Sequence, residues 1–155
     1  MAQKHVEIID FPETRVAILE HQGDSATLTA SVKKFVEWRK QLGLHPSKSA
    51  TYNIVFSHDI DSAEFRYGLC AAYDGNVMPN AYGIAASSIP MGRCAVVRHI
   101  GPDETLAEDV RYLYTEWLPQ SGETLREFPL FLRRVQFPPE VQEDATVIDI
   151  HLPIR

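Results

Sequence analysis

The hydrophobic and polar positions of this chain follow two patterns that alternate along it. Runs rich in β-branched and apolar residues, RVAILEHQG from Arg15 and RCAVVRHIG from Arg93, are typical of β-strands. After each run, apolar residues recur at helical spacing, which predicts one helix behind each strand. The predicted buried stripes are Leu28, Val32, Phe35, Val36 and Leu42 in the first helix, and Leu106, Val110, Leu113, Tyr114 and Trp117 in the second.

The ends of these helices also carry sequence signals. Ser25 is a candidate N-cap of the first helix, and Arg39 and Lys40 lie near its end, where the helix dipole favours cations. Acidic residues open the second helix, and Pro119 is expected to end it because proline disrupts a helix interior.

The two strand-helix segments repeat one another. When FPETRVAILEHQGDSATLTASV from Phe11 is compared with IPMGRCAVVRHIGPDETLAEDV from Ile89, eight of 22 positions are identical at an offset of 78, without a gap. The identical pairs are Pro12/Pro90, Arg15/Arg93, Ala17/Ala95, His21/His99, Gly23/Gly101, Thr27/Thr105, Leu28/Leu106 and Val32/Val110. An offset of half the chain length indicates a duplicated unit.

Each repeat contains further strand patterns around this segment. A short strand opens each one (HVEIIDF and YGIAASSI), and two strands close it: TYNIVFSH and AEFRYGLCAAY, joined by the turn DIDS, then PLFLRRVQF and ATVIDIHLPI. The order β-β-α-β-β occurs twice, over about 5–73 and 82–154, with 74–81 as a linker. We therefore predict one α+β domain of two pseudo-twofold units, each an antiparallel sheet with one long helix.

This arrangement suggests where a ligand would bind. A small sheet buries one face under its helix, so the other faces of the two units are expected to form a shared groove, and grooves between related halves often hold ligands.

Composition narrows the class of protein. With 155 residues, net charge −6 and no Lys/Arg run longer than two, a single domain is expected and nucleic-acid binding is not. Cys70 and Cys94 show no framework spacing and are expected to be small buried hydrophobes with reduced thiols. No signal peptide or membrane-length apolar run is present, which favours a cytoplasmic protein.

Taken together, these segments resemble the GyrI-like small-molecule-binding family. The resemblance rests on VAILEHQGDSATLTASVKKFVEW, EFRYGLCAAY, GRCAVVRHIGPDETLAEDVRYLYTEWLPQSG and the closing FPLFLRR…IDIHLPI, and it spans essentially the whole chain. The family includes SbmC-type DNA gyrase inhibitors, and the same domain is fused to helix-turn-helix modules in AraC- and MerR-type regulators. Because the first strand is predicted to start near His5, we expect this chain to be a stand-alone member that does not regulate transcription directly.

The sequence departs from the family pattern at two positions. Many members carry P-x-F-E-x-Y in the penultimate strand, where the resemblance implies that the Glu meets cationic drugs. Here the strand reads PLFLRR, so Leu132 replaces the Glu and Arg134 replaces the Tyr. Gly68 stands where the family often has Asp.

Strand alternation indicates the ligand-lining positions. It places Leu130, Leu132 and Arg134 on one face, and the offset of 78 assigns Tyr52, Ile54 and Phe56 to the same groove. The alternative is that this face packs on loops or a partner, and that Arg134 is a solvated strand end rather than an anion-binding group. Trp38 and Trp117 are either ligand platforms or helix packing residues.

The sequence shows no pattern typical of a catalytic or metal site. His21 and His99 are expected to cap their own strand-helix turns, and the histidines lack metal-ligand spacing. No cofactor motif, nucleophile motif or P-loop occurs. Without the family Glu, a hydrolase of strained electrophiles would need another carboxylate, such as Glu37 or Glu64, and no pattern recommends either.

Three functional hypotheses follow. The first is a module that binds a small, largely apolar ligand, neutral or anionic, in the groove between the repeats. The alternative is a modulator of DNA gyrase that acts by protein contact, to which the acidic balance is suited. A hydrolase is the least supported.

Overall fold

The structure is a computed structural model that describes residues 4–57 and 62–155. Its strands are β1 Glu7–Phe11, β2 Thr14–Gln22, β3 Thr51–Val55, β4 Arg66–Ala72, β5 Ala85–Ile89, β6 Gly92–Ile100, β7 Phe131–Gln136 and β8 Val147–Pro153. Its helices are α1 Ser25–Gln41, α2 Leu106–Tyr112 and α3 Leu118–Ser121, with a π-helical segment, Leu113–Trp117, between the last two. Asp103–Thr105 and Glu143–Ala145 form short 3₁₀ turns. Antiparallel sheets with a helix in each half confirm the predicted α+β class.

The chain divides into two compact units, each with a four-stranded antiparallel sheet. Unit A comprises Glu13–Pro90 and has strand order β3-β4-β2-β5. Unit B comprises Met1–Pro12 with Met91–Arg155 and has strand order β1-β6-β8-β7. The predicted turn DIDS lies largely outside the described residues.

The compact units differ from the sequence repeats in their opening strands. β1 opens the first sequence repeat, but it pairs with β6 of unit B. β5 opens the second repeat, but it pairs with β2 of unit A. Only Pro12 and Glu13 separate β1 from β2, and only Pro90 and Met91 separate β5 from β6. A proline in a two-residue connection disfavours the primed turns that tight hairpins need, so each opening strand completes the sheet of the other repeat.

The segment that was predicted as a linker is part of unit A. Val77 and Tyr82 pack against its core, and Ile84 is buried within it. The Asn80 side chain holds the segment in place: its Oδ1 accepts from the backbone N–H groups of Tyr82 and Ile84, and its Nδ2 donates to the carbonyls of Met78 and Ile84.

The helix ends differ from the sequence predictions. Asp24, not Ser25, caps α1, because its carboxylate accepts from the backbone N–H of Thr27 at 3.2 Å. Pro119 does not end the second helix, which continues to Ser121. Proline is tolerated there because it directly follows the π-helical segment, where the regular i→i−4 hydrogen bonds are already interrupted.

Candidate functional site

The strand-helix turns show how each sheet is tied to its helix. In unit A, His21 Nδ1 lies 2.7 Å from Ser31 Oγ and its Nε2 lies 3.1 Å from the carbonyl oxygen of Gly23. In unit B, His99 Nδ1 lies 2.7 Å from Asp109 Oδ2 and its Nε2 lies 3.1 Å from the carbonyl oxygen of Pro102. The prediction that each histidine holds its own turn is confirmed.

The glycines after these histidines explain why the motif is His-x-Gly. Gly23 and Gly101 have φ of 135° and 136°, a conformation that side-chain-bearing residues rarely adopt. Each donates its N–H across the sheet, to the carbonyls of Phe65 and Thr146 respectively, at 2.9 Å. The turns are therefore equivalent, and they define the sheet face that each helix covers.

In unit B, that face carries the β7 residues predicted to line the site. Leu132 lies opposite Ile150, and Ile150 lies opposite Val97. Val97 is two residues before His99, whose side chain contacts Asp109 of the helix, so both point to the helix side. Directly opposed residues in antiparallel strands point to the same face. Leu130, Leu132 and Arg134 therefore lie on the helix side of the sheet, and the expectation that they occupy the face away from the helix is wrong.

In unit A, the predicted β3 residues lie on the opposite side. Asn53 pairs with Leu69, which pairs with Leu19, and the last two belong to the core under α1. Thr51, Asn53 and Val55 thus point towards the helix, and Tyr52 and Ile54 point away from it. Phe56 lies beside Ile54, since both approach within 3.2 Å of the Cβ position at Gly68. The assignment of Tyr52, Ile54 and Phe56 to the face matching Leu132 is wrong.

The β3 residues were assigned to the wrong face because the spacing between the second strand and β3 differs by one residue from the equivalent spacing before β7. Leu19 and Val97 are equivalent at the offset of 78, and the registers that pass through them make Asn53, not Ile54, the equivalent of Leu132. A shift of one residue moves a strand's side chains to the other face. The polar Asn53 within an apolar strand was the available signal: it is buried and donates to the carbonyl of Tyr52 at 3.0 Å.

The two tryptophans occupy different environments. Trp38 is buried in the core of unit A, where it stacks on Phe35 and meets Tyr73 edge-on, each at 6.0 Å between ring centroids. Of the two predicted roles of Trp38, this environment is that of a helix packing residue. Trp117 is half-buried at the end of the π-helical segment, a feature that is frequent at functional sites. A ligand contact for either residue stays a prediction.

Each helix keeps one apolar row that its own unit leaves partly uncovered. On α1 the buried stripe contains Phe35 and Trp38, whereas Val32 and Val36 are 39% and 43% exposed, so the predicted single stripe is wrong. Leu28, Val32 and Val36 form this row at four-residue spacing. The equivalent row of unit B is Leu106, Val110 and Tyr114, and all three are half-buried. We call these sets the apolar helix rows.

Comparison with known proteins places these features in a family. The model of the GyrI-like small molecule binding domain matches residues 4–155. This chain belongs to the GyrI-like family. A curated relative, the Probable transcriptional regulator YgiV of Escherichia coli K12, is 33% identical over 152 residues, which cover 96% of this chain and 95% of YgiV.

Solved structures share the GyrI-like fold. The EcmrR C-terminal domain superposes with a TM-score of 0.80 at 15% identity, covering 99% of both chains. SAV2435 bound to tetraphenylphosphonium superposes with a TM-score of 0.59 at 8% identity, covering 97% of this chain and 94% of that one. At these identities the likeness concerns the fold alone.

Leu132 and Arg134 determine the charge around the position where many family members carry a Glu. In this GyrI-like chain Leu132 is 2% exposed and contributes no charge. Two residues later, the Arg134 guanidinium donates to both carboxylate oxygens of Asp103. Arg134 is therefore neither a solvated strand end nor an unpaired cation. Among residues 4–57 and 62–155, no group of three potential metal ligands is found.

Both thiols of the GyrI-like chain are buried, as predicted. Burial raises the pKa of the Cys70 and Cys94 thiols, which makes them poor nucleophiles at neutral pH. No described helix is long and apolar enough to cross a membrane.

The opposite face of unit B holds an imidazole whose stability contribution depends on pH. His151 stacks on Phe131 with ring centroids 4.7 Å apart, and Phe11 meets both rings edge-on. Burial lowers the pKa of His151 and outweighs the hydrogen bond to the Asp149 carbonyl, which raises it; the nearby Arg133 lowers it further. Neutral His151 is thus the form that the folded chain accommodates.

We expect this imidazole to make the GyrI-like fold sensitive to acid. The pKa of His151 in the folded chain lies below the ordinary value of 6.5. The contribution of His151 to the free energy of unfolding is therefore complete above about pH 6.5, and it is lost as the pH falls from there through the folded pKa. His151→Phe should flatten the pH dependence of the free energy of unfolding in that window. Urea titrations from pH 5 to 8 test this, with a substitution of the exposed Arg111, Arg111→Gln, as a surface control. Equal slopes for wild type and His151→Phe would contradict it.

Proposed function

We propose that this chain binds a small, largely apolar ligand that is not a cation. The family is a small-molecule-binding one, and the observation that carries the finer proposal is the pair of apolar helix rows. Removing apolar surface from water stabilises a complex by roughly 25 cal/mol per Å². Val32 and Val36 leave such surface uncovered in the middle of α1, where a hydrophobic molecule can cover it.

The charges near β7 support the preference against cations. A lipophilic cation needs a carboxylate when it leaves water, because an unpaired charge in an apolar site is costly. Leu132 offers none, and the carboxylate of Asp103 already holds Arg134. A neutral or anionic apolar molecule does not need a carboxylate partner and meets no such penalty.

Two ions of the same shape and opposite charge provide the test. Tetraphenylborate is expected to bind at least about tenfold more tightly than tetraphenylphosphonium, a difference of about 1.4 kcal/mol, and the neutral N-phenyl-1-naphthylamine should also bind. Isothermal titration calorimetry measures the ions, and fluorescence measures the neutral dye.

A matched pair of α1 variants locates the site. Val32→Gln/Val36→Gln should weaken binding of the neutral dye, whereas Thr29→Gln/Lys33→Gln, on the neighbouring exposed row, should not. Tighter binding of tetraphenylphosphonium than of tetraphenylborate would refute the proposal, as would an unchanged dye affinity in the Val32/Val36 variant.

We further propose that the chain is not an enzyme. The pair that most resembles a general base with its orienting carboxylate is His99 with Asp109. However, His99 Nε2 faces the Pro102 carbonyl, and Thr105 Oγ1 lies 3.2 Å from it. The same arrangement in unit A, with Ser31 in place of the acid, supports a structural role.

Modulation of DNA gyrase is the second candidate. Its support is the acidic balance, 21 acidic against 15 basic residues, together with exposed acids at the start of the second helix, Asp103, Glu104 and Glu108. Such a surface suits a partner with a basic DNA-binding face. A supercoiling assay with purified gyrase tests this, and unchanged supercoiling at micromolar concentrations of the chain would exclude it.

A further inference from the structure

One ion pair in unit B has a geometry suited to recognising oxyanions. Arg134 Nη1 donates to Asp103 Oδ1 at 3.1 Å, and Nη2 donates to Oδ2 at 2.9 Å. Two parallel N–H···O bonds to one carboxylate are the arrangement through which arginine recognises carboxylates in general. The Asp103 carboxylate therefore occupies the position that a ligand carboxylate would take.

The two partners differ in their exposure to solvent. The Arg134 side chain is 19% exposed and the Asp103 side chain is 56% exposed. A carboxylate at the surface loses little when it returns to water, whereas a largely buried guanidinium needs an acceptor in place. The pair can thus exchange its anion while the cation stays where it is.

Comparison of the two units indicates that the fold does not require this pair. The position equivalent to Asp103 at the offset of 78 is Ser25. The position equivalent to Arg134 is Val55. Arg134 lies opposite Ile148, which pairs with His99, and Val55 lies opposite Tyr67, which pairs with His21. Unit A builds the same turn, helix and strand with neither charge, whereas the histidine contacts of the turn occur in both units.

We propose that Arg134 is an anion receptor for the carboxylate of an amphiphilic ligand, and that Asp103 is its internal occupant, displaced when the ligand binds. This inference rests on the proposed binding of apolar ligands and adds the head group to it. Leu106, which is half-buried and lies three residues after Asp103, offers apolar contact to the ligand's body. Asp103 then sets a threshold, because a weak anion without an apolar body does not compete with a tethered carboxylate.

The experiment uses decanoate and 1-decanol, which share an alkyl chain and differ in the carboxylate. Asp103→Ala should raise the affinity for decanoate about tenfold and leave that for decanol unchanged. Arg134→Gln should remove the gain, so Asp103→Ala/Arg134→Gln should bind decanoate no better than Arg134→Gln. Glu104→Ala removes the same charge from the same turn, and we expect it to change decanoate affinity less than twofold.

The outcomes separate this inference from the proposed function. If decanol binds but Asp103→Ala and wild type bind decanoate equally, the exchange is refuted and the binding function stands. An equal gain from Glu104→Ala would also refute it, because the effect would then be one of net charge. If neither probe binds any variant, the proposed function and the exchange both fail.

Discussion

Replacing Asp109 with alanine is expected to lower the free energy of unfolding by about 3 kcal/mol, because it strips the buried His99 of its carboxylate partner. Asp109 is among the most buried charged groups of unit B; its side chain is 7% exposed, and it also pairs with Lys4 at 2.6 Å. Its loss leaves an imidazole nitrogen without an acceptor under the helix and frees the N-terminal segment beside β1.

The duplicated unit supplies the control for this experiment. Ser31→Ala removes the equivalent partner of His21, a neutral hydroxyl, and should cost only about 1 kcal/mol. Asp109→Asn should fall between the two, because its amide oxygen can still accept from His99 but carries no charge for Lys4. Urea unfolding followed by circular dichroism measures all three variants at an unchanged m-value. If Asp109→Ala costs no more than Ser31→Ala, the carboxylate is not what holds the turn.

The second large effect is expected from Leu132→Glu, which restores the acid that many family members carry. We expect it to reverse the charge preference, so that tetraphenylphosphonium binds more tightly than tetraphenylborate. A cation about 6 Å from a carboxylate gains about 3 kcal/mol at an effective dielectric constant near 20, which corresponds to roughly 100-fold in affinity. Without ligand, the variant should be less stable than wild type, since a carboxylate beside Ile150 and Val97 is poorly solvated.

Leu132→Gln separates charge from shape. It has nearly the size of the glutamate variant and should bind neither ion better than wild type does. Calorimetric titration of both ions into wild type, Leu132→Gln and Leu132→Glu gives the comparison. Similar tetraphenylphosphonium affinity in the two variants would mean that charge at position 132 does not govern ligand choice.

The family resemblance and the site have different physical foundations. The overall fold could be predicted because the signals for strands, helices and duplication are local and occur twice. The lining of the site could not, because it depends on register. A constant offset holds through β2 and the helix, but one extra residue before β7 makes Asn53 the counterpart of Leu132.

The sequence by itself determined the α+β class, the duplication and the two His-x-Gly turns, since backbone geometry and hydrogen bonds within about ten residues decide these features. Only the tertiary structure decided that β1 and β5 each join the sheet of the other sequence repeat. It also decided which face β3 presents to its helix and that Val32 and Val36 lie outside the core. It also decided the pairing of Arg134 with Asp103, 31 positions apart. Such features arise from strand pairing and packing between distant segments, and hydrophobic periodicity along a single segment carries no information about them.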